Sequence, residues 1–136
     1  MADKGGDRIM ELKNRSQYLD KLISVQDMEV IKVVTGIRRC GKSSLLKLMM
    51  AHLREQGVMK EQILSMNFES MQFADMDSKS LYQYVMERAP KGKRLYLFLD
   101  EVQKVRDWQN AVNSFRVDLD CDIYVTGSNA YLLSSE

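Results

Sequence analysis

Apolar residues recur along this chain with two alternating periods. Leu12, Leu19, Leu22 and Ile23, with Arg15 and Gln26 on polar positions, fit a period of 3.6 and predict a helix leading into the core. Val30 to Thr35 is a short β-branched run bounded by Gly36, which predicts a buried strand opening into a loop. From Ser43 onward Leu45, Leu48, Met49, His52 and Leu53 return to helical spacing, with Gly57 as a stop. A second strand is expected at Ile63 to Phe68. Asp77 or Ser78 can then cap a helix that carries Leu81, Tyr84, Val85 and Arg88 and ends near Pro90. Leu95 to Leu99 is a continuous apolar run suited to the centre of a parallel sheet, Trp108, Ala111, Val112 and Phe115 share one helical face, and Asp122 to Thr126 is a fourth strand. Helix and strand alternate throughout, the pattern of an α/β fold with parallel strands and right-handed crossovers.

Length and composition narrow the function classes. The 136 residues, 45% of them hydrophobic, provide for one domain with one core. No run is long and uncharged enough to span a membrane, and Met1 to Arg8 is not followed by a secretory apolar region, so a cytoplasmic location is expected. Residues 1–9, with Gly5-Gly6, read as a flexible arm, and residues 10–136 as the domain. Ala130 to Glu136 starts another helix or loop and stops, which reads as a fragment. Two cysteines and one histidine, His52, give neither a disulfide framework nor a zinc constellation. Trp108 is expected to anchor its helix. A net charge of +1 offers no general attraction to nucleic acid, which leaves only local basic groups: Arg38, Arg39 and the exposed turn Lys91 to Arg94.

Between the first strand and its helix, Gly36-Ile37-Arg38-Arg39-Cys40-Gly41-Lys42-Ser43 matches GxxxxGK[ST]. Glycines let the backbone curl so that successive N–H groups and the helix N-terminus face phosphate oxygens. Lys42 would sit near the β and γ oxygens, and the Ser43 hydroxyl would coordinate Mg²⁺. Ile37 and Ser44 belong to the same cradle. Arg38 and Arg39 are open to a base, a partner subunit or solvent; Cys40 is either a redox-responsive thiol or a small residue filling the loop. The plain alternative is a glycine-containing turn flanked by a lysine.

About 57 residues beyond Ser43, the third strand delivers Asp100 and Glu101 to its C-terminal end. Two carboxylates there are costly to desolvate without a cation, which makes Asp100 a Mg²⁺ ligand and Glu101 the candidate base for an attacking water. Adjacent strand residues point to opposite sides, which disfavours a glycosidase-like pair. At the end of the fourth strand Ser128 or Asn129 can contact a γ-phosphate or the water, or simply form a turn and a helix cap, while Thr126 is set aside as a strand residue. Asn67 and Glu69, at the second strand end, are weaker candidates of the same kind.

Thr35 to Leu46 (TGIRRCGKSSLL), Leu97 to Gln103 (LFLDEVQ), Trp108 and Val125 to Leu133 (VTGSNAYLL) together resemble the N-terminal ATPase domain of a broad prokaryotic family of AAA+ ATPases whose members often carry a nuclease-like C-terminal region. The resemblance runs from about Leu12 to Glu136. It implies a three-layer α/β/α P-loop NTPase core, Walker A roles for Gly36, Gly41, Lys42 and Ser43, Walker B roles for Asp100 and Glu101, and a sensor role for Ser128 or Asn129. The implied sheet has five strands in the order 5-1-4-3-2, of which four are read here, so the chain is expected to stop before the fifth strand and the arginine-bearing lid. Preference for ATP over GTP also comes from the resemblance.

The leading expectation is therefore a Mg²⁺-dependent ATPase core, weak in turnover by itself; whether the full-length protein forms a homo-oligomer is left open by the sequence. The alternatives are an ATP-gated switch module, acting on a partner or on DNA, and a small-molecule kinase. Glu101 beside Asp100 speaks against the kinase.

Overall fold

The computed structural model describes residues 17–35 and 39–127, apart from the side chains of Arg39 and Cys40. Residues 17–24 are helical (α1) and lead through a turn to β1 (Lys32–Val34), followed by α2 (Arg39–Glu55), β2 (Ile63–Asn67), α3 (Ser78–Arg88), β3 (Leu95–Asp100), α4 (Trp108–Asp118) and β4 (Cys121–Thr126). The four strands form one sheet of order β1-β4-β3-β2, and all three pairings are parallel. Consecutive strands β1 and β2 are thus separated by the later two. The alternating pattern predicted this α/β class.

Alternation along the strands divides the core into two. Leu95, Leu97 and Leu99 of β3 and Ile123 and Val125 of β4 face one side, where they pack with Leu81 and Val85 of α3 and Ala111, Val112 and Phe115 of α4. Tyr96, Phe98 and Tyr124 face the other side, against Leu45, Leu46, Met49 and Leu53 of α2 and Leu22 of α1. The two faces make a three-layer α/β/α arrangement with β3 buried along its whole length. Phe98 and Tyr124, on neighbouring strands, stack with ring centroids 4.7 Å apart. Trp108 packs at the margin of the larger cluster, as its helical spacing suggested.

Helix boundaries follow local chemistry. Asp77 caps α3 by accepting from Ser80 N at 2.9 Å, while Ser80 Oγ accepts from Asp77 N at 3.0 Å. Gly57 ends the α2 region at φ +98°, a conformation that suits glycine. Two boundaries differ from the periodicity. Helix α2 begins at Arg39, inside the GxxxxGKS segment; apolar spacing marks only the hydrophobic face of a helix, and the first turn, Arg39 to Lys42, carries no such signal. Strand β1 is shorter than the apolar run: Val30 and Ile31 precede it, in a bend where Val30 N donates to Met28 O at 2.8 Å.

At the N-terminal edge of the sheet the turn after α1 is fastened to the strands. Asp122 accepts from Asp27 N at 2.9 Å and from the Tyr124 hydroxyl at 2.7 Å, and it pairs with the buried Lys32 ammonium, which also donates to Met28 O at 2.7 Å. Asp27 in turn accepts from the Tyr96 hydroxyl at 2.8 Å and lies 2.8 Å from Arg94 Nε. Arg94 also pairs with Asp120. Of the expected basic turn, Lys91 and Lys93 are exposed, but Arg94 is half-buried and held by two carboxylates, so it is not a free contact for nucleic acid. It also precedes β3, and so lies at the opposite sheet edge from Asp100.

Candidate active site

In a parallel sheet all C-terminal strand ends open on one edge, and here that edge gathers the chemistry-bearing residues. Lys42 and Ser43 are the fourth and fifth residues of α2, Asp100 ends β3, Glu101 follows it, and Thr126 ends the neighbouring β4. Ser43 Oγ donates to Asp100 Oδ2 at 2.5 Å, and Thr126 Oγ1 donates to Asp100 Oδ1, so both carboxylate oxygens are occupied from separate elements. Lys42 Nζ donates to Gly127 O at 3.0 Å and lies 3.7 Å from Glu101 Oε2. Lys42, Asp100 and Glu101 are only 6%, 5% and 6% exposed. One buried ammonium among two buried carboxylates leaves an excess negative charge, which a cation would balance.

Glu101 reaches this edge by a backbone device. Its φ of 59° and ψ of 51° lie in the left-handed region, which is unfavourable for a residue with a Cβ. The turn breaks strand alternation directly after Asp100. The expectation that the two carboxylates diverge holds within a strand, but Glu101 lies just outside β3, and the two instead meet the adjacent Lys42 and Ser43. Two bonds hold the turn: Glu101 N donates to Thr126 Oγ1 at 2.9 Å, and Gln103 Nε2 donates to Glu101 Oε1 at 2.8 Å.

The structure thus brings together Lys42, Ser43, Asp100 and Glu101. Gly41 is buried beside them in α2 and Ser44 is half-buried. Gly36, Ile37 and Arg38, and Ser128 and Asn129, lie outside the described residues; of Arg39 and Cys40 only the helical backbone is described. Asn67 is in register with Asp100, but its Oδ1 accepts from Glu69 N at 3.0 Å in a local turn. His52 sits far along α2. Two residues escaped the sequence reading. Thr126, read as a strand residue, is the last residue of β4, which places a buried hydroxyl between Asp100 and Glu101; a polar residue closing the strand directly after Ile123, Tyr124 and Val125 is the available signal. Gln103 had none beyond its place two residues after the acidic pair.

A hydroxyl and a carboxylate in contact, next to an ammonium and a helix N-terminus without acidic side chains, suit a phosphate anion with a hard cation. Residues 29–136 match the family model described as AAA domain. The chain belongs to this AAA domain family. An uncharacterized protein of Haemophilus influenzae is 42% identical over 125 residues, which is 90% of this chain and 31% of that protein. An uncharacterized protein of Methanocaldococcus jannaschii is 26% identical over 129 residues, 93% of this chain and 28% of that protein. The AAA domain chain therefore spans about a third of the length of these relatives. No solved structure matches it significantly. Family membership makes an ATPase-type, nucleotide-binding role the coarse functional assignment. Among the described residues no helix is long and apolar enough to cross a membrane.

Proposed function

We propose that this AAA domain binds ATP with Mg²⁺ and hydrolyses its β–γ phosphoanhydride. The observation that carries the reading is the contact of Lys42 and Ser43, from the GxxxxGKS segment, with Glu101 and Asp100 at the end of β3. Gly36 to Ser44 would supply backbone N–H groups to the phosphates at the start of α2. Lys42 has three donor hydrogens and spends one on Gly127 O, so donors remain for β- and γ-phosphate oxygens.

Ser43 Oγ and Asp100 fit Mg²⁺ because they are hard oxygen donors already in contact, and that ion completes its shell from water and phosphate oxygens rather than from an all-protein cage. When bound, it would neutralise charge on the phosphates. Thr126 keeps Asp100 oriented. Glu101 accepts a proton from the attacking water as its oxygen bonds to the γ-phosphorus in line with the breaking bond to the β–γ bridging oxygen, leaving ADP and inorganic phosphate. Ser128 or Asn129, which follow β4, are proposed to contact the γ-phosphate.

The test is calorimetric titration of the full-length protein with a non-hydrolysable ATP analogue, with and without Mg²⁺, beside Lys42→Ala and Glu101→Gln variants. Binding that needs Mg²⁺ and Lys42, and survives Glu101→Gln while turnover stops, is the expected result. Undiminished affinity in folded Lys42→Ala protein would overturn the assignment.

A further inference from the structure

Glu101 is followed by a single 3-10 turn, Val102–Lys104, whose backbone is fixed by burial rather than by length. Val102 and Val105 are both buried in the larger core cluster, and Val105 N donates to Val102 O at 2.9 Å. With its flanks anchored, Gln103 is presented toward the site, and Nε2 donates to Glu101 Oε1 at 2.8 Å. The orientation of this carboxamide follows from chemistry: an ionised carboxylate only accepts, so the amide nitrogen must face it. That leaves Gln103 Oε1 on the other side of the same amide carbon. Oε1 is buried and has no hydrogen-bond partner among the described residues. A buried acceptor without a donor is unfavourable, and the Nε2 bond sets this one an amide's width from the candidate general base.

We propose that Gln103 holds both Glu101 and the water on which Glu101 acts. The Nε2 bond fixes the carboxylate that the left-handed turn has swung into the site, and Oε1 accepts the hydrogen of the attacking water that is not transferred. One proton of that water passes to Glu101; the other stays on the oxygen that joins the γ-phosphorus, its hydrogen bond to Gln103 setting the direction of attack. This inference rests on the reading of Glu101 as the base. It separates two tasks at adjacent positions: Glu101 moves the proton, and Gln103 positions the groups between which it moves.

The test compares Gln103→Ala, Gln103→Glu, Glu101→Gln and the Glu101→Gln/Gln103→Ala double variant in the full-length protein. It measures kcat, KM for ATP, and affinity for ADP with and without aluminium fluoride, which mimics the phosphoryl group under attack. Gln103→Ala should lower kcat by about ten- to a hundred-fold, the loss expected for a hydrogen bond to a charged group, while KM changes less than about two-fold. Affinity for ADP alone should be unchanged and affinity for ADP with aluminium fluoride should fall. Gln103→Glu, of the same shape but without the donor, should be worse than Gln103→Ala because it sets a like charge against Glu101. In the Glu101→Gln background, where turnover stops, Gln103→Ala should cause no further loss of affinity for ADP with aluminium fluoride. Unchanged kcat and aluminium fluoride affinity in Gln103→Ala, a KM that rises in step with the lost activity, or additive losses in the double variant would overturn the proposal. If Glu101→Gln stops turnover while Gln103→Ala leaves it intact, the Gln103 role alone fails. Parental turnover in Glu101→Gln, or absence of nucleotide binding, would overturn the underlying reading as well.

Discussion

Thr126 Oγ1 accepts the Glu101 backbone N–H at 2.9 Å and donates to Asp100 Oδ1, so a single buried hydroxyl on β4 orients one carboxylate and anchors the turn that carries the next. Replacing Thr126 with Val keeps its shape and removes both bonds. The expected outcome is a loss of about 1–3 kcal/mol of stability, from two buried groups left unpaired, and weaker Mg²⁺-dependent nucleotide binding. Thr126→Ser should retain both properties. Urea unfolding with calorimetric titration checks this, and a Val variant equal to the parent in both would refute the role.

The buried Lys32–Asp122 pair lies at the other edge of the sheet. Asp122→Ala should cost about 3–5 kcal/mol, because it strands a buried ammonium and also removes the acceptor for Asp27 N and Tyr124. A double replacement, Lys32→Met with Asp122→Leu, should destabilise less than Asp122→Ala alone. Denaturant midpoints for the three proteins decide the matter; a double variant less stable than the single one contradicts it.

Acid sensitivity should come partly from Asp27. Burial pushes its carboxyl up, but hydrogen bonds from Tyr96 and Gln26 and the charge of Arg94 outweigh this and hold it below the ordinary value of 3.8. A depressed folded value contributes stability above pH 3.8 that disappears as pH falls through it. Tyr96, pushed up to about 12 by burial and by Asp27, stays a neutral donor throughout this window. Unfolding midpoints between about pH 5 and pH 2 should fall less steeply for Asp27→Asn than for the parent. Equal slopes would show that Asp27 contributes nothing to the pH dependence.

Burial raises the Cys121 thiol to about 11, with Asp120 and Asp122 adding to the effect and Arg94 opposing it. At pH 8 its thiolate fraction is roughly a hundred-fold below that of a thiol at the ordinary value, and alkylation by iodoacetamide should slow in proportion. Peptide mapping by mass spectrometry after timed alkylation measures the rate. Modification of Cys121 at the rate of a free thiol would contradict the described environment.

The sequence by itself determined the α/β class, the central place of the Leu95 to Leu99 run and the α3 cap, because side-chain periodicity and capping are local properties of the chain. It also marked Lys42, Ser43, Asp100 and Glu101 as candidates through residue type and spacing. Only the tertiary structure decided how they meet. Parallel pairing of β4 between β1 and β3 sets Thr126 beside Asp100, a relation between residues 26 apart that no local pattern encodes. The left-handed backbone of Glu101 redirects a carboxylate that simple strand alternation would send away. Gln103 gains its partner from that same turn. Local chemistry selects the elements, whereas the contacts between their ends arise from packing of the whole sheet, where one strand's last polar residue becomes another's ligand.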